Sequence, residues 1–239
     1  MSMQAPFIDA ASAIDPTNFD NTFVSYYTYG SALGLALDLS LRAKFDGVSL
    51  DSFMRHVWLV HGKTEAPYTN DDLQTRLAEV TDHRKFADDF FDRYVHGQEL
   101  PDYKTLLENA GVLVRQKDTA SAYAGPLTLE FDGKEALIAE NTIIGSPLYM
   151  AGLDRGDRIV AIDRLKITSQ GRWKSALGRY APGDTATIAY EQRGVARTAT
   201  IKFKADPQVE VLTYESADLS VSDTQLAFRT AWLSVDENE

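Results

Sequence analysis

The sequence predicts a multi-domain α + β protein, an all-α helical bundle followed by a compact β-rich domain. Three observations carry this reading. Apolar residues recur at helical spacing through residues 1–117. Near Asp118 the pattern changes to strict alternation, with turns at Asp132-Gly133, Pro182-Gly183 and Arg193-Gly194. Charge changes over the same boundaries: residues 1–117 hold 11 basic and 17 acidic side chains, 118–205 hold 12 and 10, and 206–239 hold 1 and 8. The expected organisation is therefore a helical region at 1–117, a β-domain at 118–205, and an extension at 206–239 that folds back onto the helices.

Each element has a local reason. Tyr29, Leu33, Leu37 and Leu41 repeat every four residues with Gly30, Ala32, Gly34 and Ala36 between them, which predicts a helix buried on most sides. Ser49 is the expected N-cap of a second helix that turns Leu50, Phe53, Met54, Val57 and Trp58 inward. Thr69 to Asp72 reads as a capping box with Asp in place of Glu, with Leu73, Leu77 and Val80 behind it. Phe86, Phe90 and Tyr94 form another i, i+4 series, and Gly97 is expected to end it as a left-handed C′ residue. Tyr103 to Ala110 predicts a short helix stopped by Gly111. In the second block Leu127-Leu129-Phe131, Ile159-Ala161 and Thr187 to Tyr190 read as strands. Val209 to Tyr214 reads as extended. Leu226, Phe228, Trp232 and Leu233 anchor an amphipathic segment, and Asp236 to Glu239 are expected to fray.

Composition excludes several classes. A net charge of −11 argues against nucleic acid as the main partner. The longest uncharged run, Asn21 to Leu37, is too short and too polar for a membrane span, which needs roughly 20 apolar residues. The start, MSMQAPFIDA, shows no secretory signal, so a soluble protein of undetermined compartment is expected. With no cysteine, thiolate catalysis, disulfides and cysteine-ligated metals are out.

Gly145-Ser146-Pro147, Ala151-Gly152-Leu153 and Gly156-Asp157, with Ile159 and Ile162 after them, make the β-block similar to a PDZ domain of the bacterial protease-associated kind. That resemblance implies a PDZ-like β-barrel in which a peptide adds as a strand. It places the carboxylate-binding loop at Tyr123, Ala124, Gly125, Pro126 and Leu127, the strand at Leu127, Leu129 and Phe131, and the groove helix at Arg172 to Tyr180 with Trp173 and Leu177. Pro126 removes one N–H from the loop, and Arg164 stands where the family has glycine in an Asp-Gly turn. The alternative reading of this block is a β-domain that only packs against its neighbours.

The helical block carries a second resemblance. Tyr27-Thr28-Tyr29-Gly30, Phe90 to Gly97 and Leu100 to Tyr103, with Ala231-Trp232-Leu233 near the end, resemble the C-terminal half of the glycyl aminopeptidase family of gluzincin zinc peptidases. The resemblance implies that Tyr27, at the tyrosine of Tyr-x-Lys-Gly, stabilises an oxyanion; Tyr29 replaces the lysine. A packed aromatic at the start of a buried helix is the other reading of Tyr27. The family's zinc is held by a His-Glu-x-x-His helix. Here His56, His61, His83 and His96 have no such spacing, so no metal site is expected in this chain and zinc belongs to a catalytic part upstream. His56 and His61 are expected at the surface or half-buried, His96 at a helix C-terminus, and Asp88, Asp89 and Asp92 on a solvated face. Arg155-Gly156-Asp157 falls inside a PDZ turn and is not read as an adhesion signal. The implied function is the non-catalytic C-terminal region of a zinc aminopeptidase, with that catalytic domain and peptides or protein termini as partners. The alternative is a stand-alone peptide-binding scaffold.

Overall fold

A computed structural model of the chain describes residues 5–10, 15 and 17–234; Asp236 to Glu239 lie outside the described residues. The helices before the first strand are α1 (Phe19–Thr22), α2 (Tyr26–Lys44), α3 (Leu50–Val57), α4 (Asn70–Thr81), α5 (Arg84–Phe90) and α6 (Tyr103–Glu108). Then come β1 (Val112–Gln116), β2 (Ala122–Tyr123), β3 (Leu129–Phe131), β4 (Ala136–Ile138) and α7 (Pro147–Met150). Next are β5 (Arg158–Ile162), β6 (Leu165–Lys166), α8 (Gln170–Leu177), β7 (Thr185–Gln192) and β8 (Val195–Lys202). The chain ends with β9 (Lys204–Ala205), β10 (Val209–Thr213) and α9 (Asp223–Leu233). It divides into two compact units, Met1–Asp15 with Thr22–Val114 and Val211–Glu239, and Pro16–Asn21 with Arg115–Glu210.

In the helical unit α2 is the central element. Leu37 and Leu41 join Phe53, Leu77, Phe86 and Phe90 in one apolar cluster, Leu39 packs with Leu107, Phe228 and Trp232 in another, and Tyr29 and Leu33 close a third around Ala10. Leu39 and Leu41 are fully buried, each such side chain contributing about 1.5–3 kcal/mol through removal from water. The caps agree with the sequence: Ser49 forms a capping box with Ser52, and Thr69 with Asp72. Helix α9 has a Ser222–Gln225 box, and Arg42 donates to the Ala231 carbonyl at 2.9 Å, placing a cation at the helix's negative end.

Two helices end in a way that spacing alone does not reveal. Residues Trp58–Gly62 and Phe91–Val95 are π-helical turns continuing α3 and α5. The widened turn carries Tyr94 onward, but Gly97 is not in the left-handed conformation expected of it. It is needed for close approach: a Cβ there would sit 2.5 Å from the Asp92 carbonyl oxygen and 2.6 Å from that of Arg93. His61 also departs from expectation. It is buried, against Tyr68, with neither ring nitrogen hydrogen-bonded to protein.

The second unit is built on an antiparallel sheet of order β3-β4-β5-β7-β8, with β6 paired to β5. Its edge strands do not pair with each other. The expected β-barrel is therefore corrected to an open sheet: β2 pairs with β9 in a separate two-stranded sheet, and one edge of β3 stays free among the described residues. Ile138, Ile159, Ile162, Ile167, Ile188, Ile201 and Phe203 form the core under α7 and α8.

The segment preceding α2 belongs to this unit through one buried amide. Asn21 Nδ2 donates to the Thr142 carbonyl at 3.0 Å and to Asn18 Oδ1 at 2.8 Å, while its Oδ1 accepts the Ile144 N–H at 2.7 Å. The side chain thus pairs with the backbone as a neighbouring strand would. Asn21→Ala removes both partners of that backbone, and a loss of about 1–3 kcal/mol is expected. Thermal unfolding and amide hydrogen exchange check this; the Ile144 amide should lose its protection first.

Candidate functional site

The free edge of β3 has a defined register. Leu129, Glu130 and Phe131 face Ile138, Leu137 and Ala136, and the Ala139 N–H donates to the Thr128 carbonyl at 3.0 Å. In an antiparallel ladder hydrogen-bonded pairs alternate, so Thr128 and Glu130 direct their backbone groups to β4. Leu129 and Phe131 consequently direct theirs outward. The Leu127, Leu129 and Phe131 side chains are half-buried and pack on the domain core. An unpaired edge with alternate apolar side chains anchored inward can take an added strand.

The loop before it is held from below. Ala124 is buried and its carbonyl accepts the Leu148 N–H at 3.0 Å. Gly125 has φ +125°, and a Cβ there would meet the Ser146 side chain at 2.9 Å, so no other residue fits this bend without displacement. Ser146 also caps α7 by accepting the Tyr149 N–H. Tyr123 sits in β2, its phenol pushed up by burial and then by the Asp206 charge. Pro126 is exposed and supplies no donor.

On the helix side, Trp173 and Ala176 are buried in the core, while Leu177 is half-buried and packs on its margin. Trp173 is thus beneath the domain surface. Just beyond α8, Tyr180 stacks on Phe203 and donates to Asp163 Oδ2 at 2.5 Å. Asp163 Oδ1 accepts the Thr187 N–H at 2.8 Å. The turn Asp163-Arg164 is resolved unexpectedly: the left-handed residue is Asp163 (φ 48°), and Arg164 needs no glycine-like backbone. Asp is among the few non-glycine residues that adopt this conformation, and here its carboxylate is held by the distant Tyr180 and Thr187. Neither the Asn21 anchor nor the Asp163–Tyr180 link was legible in the sequence, since both join residues far apart in the chain.

In the helical unit Tyr27 lies in the first turn of α2, after the Ser25 cap, and is 73% exposed. Its ring lies 4.4 Å from that of Tyr26, and the hydrogen bond between them, then burial, raises the Tyr26 phenol. The histidines do not converge. His56 bonds Glu79 at 2.8 Å, His83 caps α5 by accepting the Phe86 N–H, and His96 ends the second π-helical turn beside Phe91. Asp88 and Asp89 pair with Arg84 and Lys85 along α5. Among the described residues no three His, Asp or Glu side chains are grouped to hold a metal ion, so the described donor set does not fit zinc. No described helix is long and apolar enough to cross a membrane.

Residues 126–203 match the PDZ domain family, and this part of the chain is a PDZ domain. Over 92% of its length the chain is similar to the crystal structure of an aminopeptidase N family protein from Idiomarina loihiensis, with 26% identity and a TM-score of 0.69. A 58-residue stretch, 24% of this chain, is 43% identical to a Neisseria meningitidis serogroup A / serotype 4A protein provisionally named a zinc metalloprotease. The chain spans 38% of the first protein and 13% of the second.

The Asp163 link yields a pH dependence. The Tyr180 hydroxyl and then the Thr187 N–H hold this carboxyl below its usual range, while burial and the Asp163 bond push the Tyr180 phenol up to about 12. A carboxyl depressed in the folded state contributes stability above its unfolded value, about 3.9, and loses it as pH falls through the folded one. Asp163→Asn keeps a residue that tolerates the left-handed turn and removes only the charge. It should lower Tm at pH 7, with the gap to the parent closing below about pH 4. A gap that persists unchanged at about pH 2.5 would refute the assignment.

Proposed function

We propose that this chain is the C-terminal, non-catalytic region of a zinc-dependent aminopeptidase resembling the glycyl aminopeptidases, with the PDZ domain as its peptide-binding module. The observation that supports this most is the similarity over 92% of the chain to an aminopeptidase N family protein, which takes in the helical unit and the PDZ domain together. Zinc would be held by ligands outside this chain, and no step of the chemistry is assigned to the histidines here. In this reading Tyr27 completes the wall of the active site. A phenol is a neutral donor at pH 7 that strengthens its bond as negative charge develops on an oxyanion. Its exposure suits a residue that meets substrate better than it suits a packed aromatic.

The PDZ domain, on this proposal, takes extended peptides or protein termini along β3. Main-chain pairing at Leu129 and Phe131 supplies register, and Leu127, Leu129 and Leu177 supply apolar contact. Tyr123, Ala124 and Gly125 shape the loop at the peptide's end. With Pro126 removing a donor, a terminal carboxylate contributes less than strand pairing does.

Two outcomes are expected. In the full-length enzyme, Tyr27→Phe should lower kcat by about 10²–10³ with unchanged folding, whereas Tyr26→Phe should not. An equal loss for both variants would return Tyr27 to a packing role. A nitrogen-15 NMR titration of the present chain with a peptide library should shift the amides of Leu127 to Phe131 with Kd of about 10–100 μM, about −5.5 to −7 kcal/mol. C-terminal amidation should weaken binding only slightly. Silence of those amides at millimolar peptide would show the domain to be structural.

A further inference from the structure

A second site lies in the helical unit, away from Tyr27. A cavity of about 390 Å³ opens between the C-terminal half of α2 and α5, a volume in the range of small-molecule sites. Its walls include Phe45, Phe86, Phe90 and Tyr94, and its polar lining includes Lys44, His83, Lys85, Asp89 and Arg93. Aromatic walls beneath a cationic lining are unusual for this chain, whose net charge is −11.

The state of each polar group decides what the cavity can hold. Lys85 is occupied by Asp89, with both carboxylate oxygens within 3.1 Å. Arg93 lies over the Tyr94 ring at 4.9 Å and is occupied by Glu99 at 2.7 Å. Lys44 is different. Its ammonium lies 5.1 Å from the Phe86 ring centroid and has no carboxylate within ion-pair distance among the described residues. His83 Nδ1 accepts the Phe86 N–H at 3.1 Å, so in the neutral ring the proton is on Nε2, which remains a donor. Among the described residues the cavity therefore offers one cation without a contact ion pair, one ring N–H and an aromatic lining. The acidic lining residue Asp89 is paired with Lys85 at contact distance, with the Arg93 and Lys44 charges acting on it from further away.

From this arrangement we infer that the cavity binds a small monocarboxylate with an aromatic or aliphatic body, its carboxylate held by Lys44 and His83 and its body against the phenyl rings. A cationic ligand would have to displace Lys85 from Asp89. A phosphate dianion would find one free positive charge for two negative ones. The carboxylate could be that of a free acid or of a short peptide's C-terminal residue, and the cavity suits either.

The test uses the intact chain and amide NMR, with 3-phenylpropionate as the free acid and Ala-Ala-Phe as the peptide. Saturable shifts of the Phe45, Phe86 and Phe90 amides are expected for at least one, and which one responds separates the two sources. 3-Phenylpropionamide and phenethylamine should bind at least about tenfold more weakly. Lys44→Gln should weaken the acid about tenfold, the scale of one charge-assisted hydrogen bond, and Lys44→Arg should restore most of the loss. Lys44 is exposed, and an unchanged Tm in both variants shows that folding is not the cause. The proposal fails if neither carboxylate saturates by about 10 mM, if amide and acid bind alike, or if Lys44→Gln and Lys44→Arg have the same affinity. None of these readouts depends on zinc, on Tyr27 or on the β3 edge.

Discussion

The burial of α2 on several sides is the constraint that organises the helical unit. One helix contributes to three separate apolar clusters, through Tyr29 and Leu33, Leu37 and Leu41, and Leu39. A helix buried on several sides needs small residues between its large ones, and Gly30, Ala32, Gly34 and Ala36 supply them. It also has few faces left for polar groups. Asp38 accordingly pairs with Arg42 one turn later and accepts the Leu50 N–H at 2.9 Å, which ties the start of α3 to α2. Its first turn escapes this burial, leaving Tyr26 and Tyr27 as exposed rings.

Burial on this scale has polar costs, and the phenols show where they fall. The Tyr29 and Tyr103 hydroxyls are both buried without a protein partner. Burial, then the proximity of Tyr29 and Tyr94, pushes the Tyr103 phenol up to about 12. These groups stay neutral across the physiological range, so the interior around Tyr29 and Tyr103 carries hydroxyl dipoles, while the Asp38–Arg42 pair on α2 is mostly shielded from solvent. The charges of this unit are displaced outward into helical pairs such as Arg84–Asp88 and Lys85–Asp89, which are solvent-exposed and individually worth little.

Much of the local structure was legible because its cause was local. The Ser49 and Thr69 caps are decided within four residues, and the structure realises both boxes. The PDZ run from Gly145 to Asp157 is read from glycine and proline positions whose backbone requirements are local. The departures have the opposite character. Spacing at i, i+4 cannot distinguish an α-turn from a π-turn, because residues i and i+4 lie near the same face in either winding. Gly97 therefore serves close backbone approach instead of a left-handed cap. A barrel and an open sheet share the same alternation and differ only in whether distant edges pair. The Asp163-Arg164 turn shows a third case: the left-handed residue is Asp163, one position before the one the family pattern marks, and its carboxylate is held by Tyr180 from a distant part of the chain.

The candidate sites differ in legibility for the same physical reason. The β3 groove is a main-chain device, and main-chain devices leave periodic traces. Its strand, its bend at Gly125 and its missing donor at Pro126 are all visible as residue types. The cavity beside α2 is a side-chain device assembled from Lys44, His83, Asp89 and Arg93, whose significance lies in which of them is already occupied. Composition counts a lysine as a charge whether or not a carboxylate neutralises it. Lys44 and Lys85 are alike in sequence, yet Lys85 is held by Asp89 at contact distance and Lys44 lies over a ring with no contact ion pair among the described residues. A cation lying over an aromatic face is already positioned, so an incoming carboxylate faces less of the side-chain ordering that makes exposed ion pairs weak.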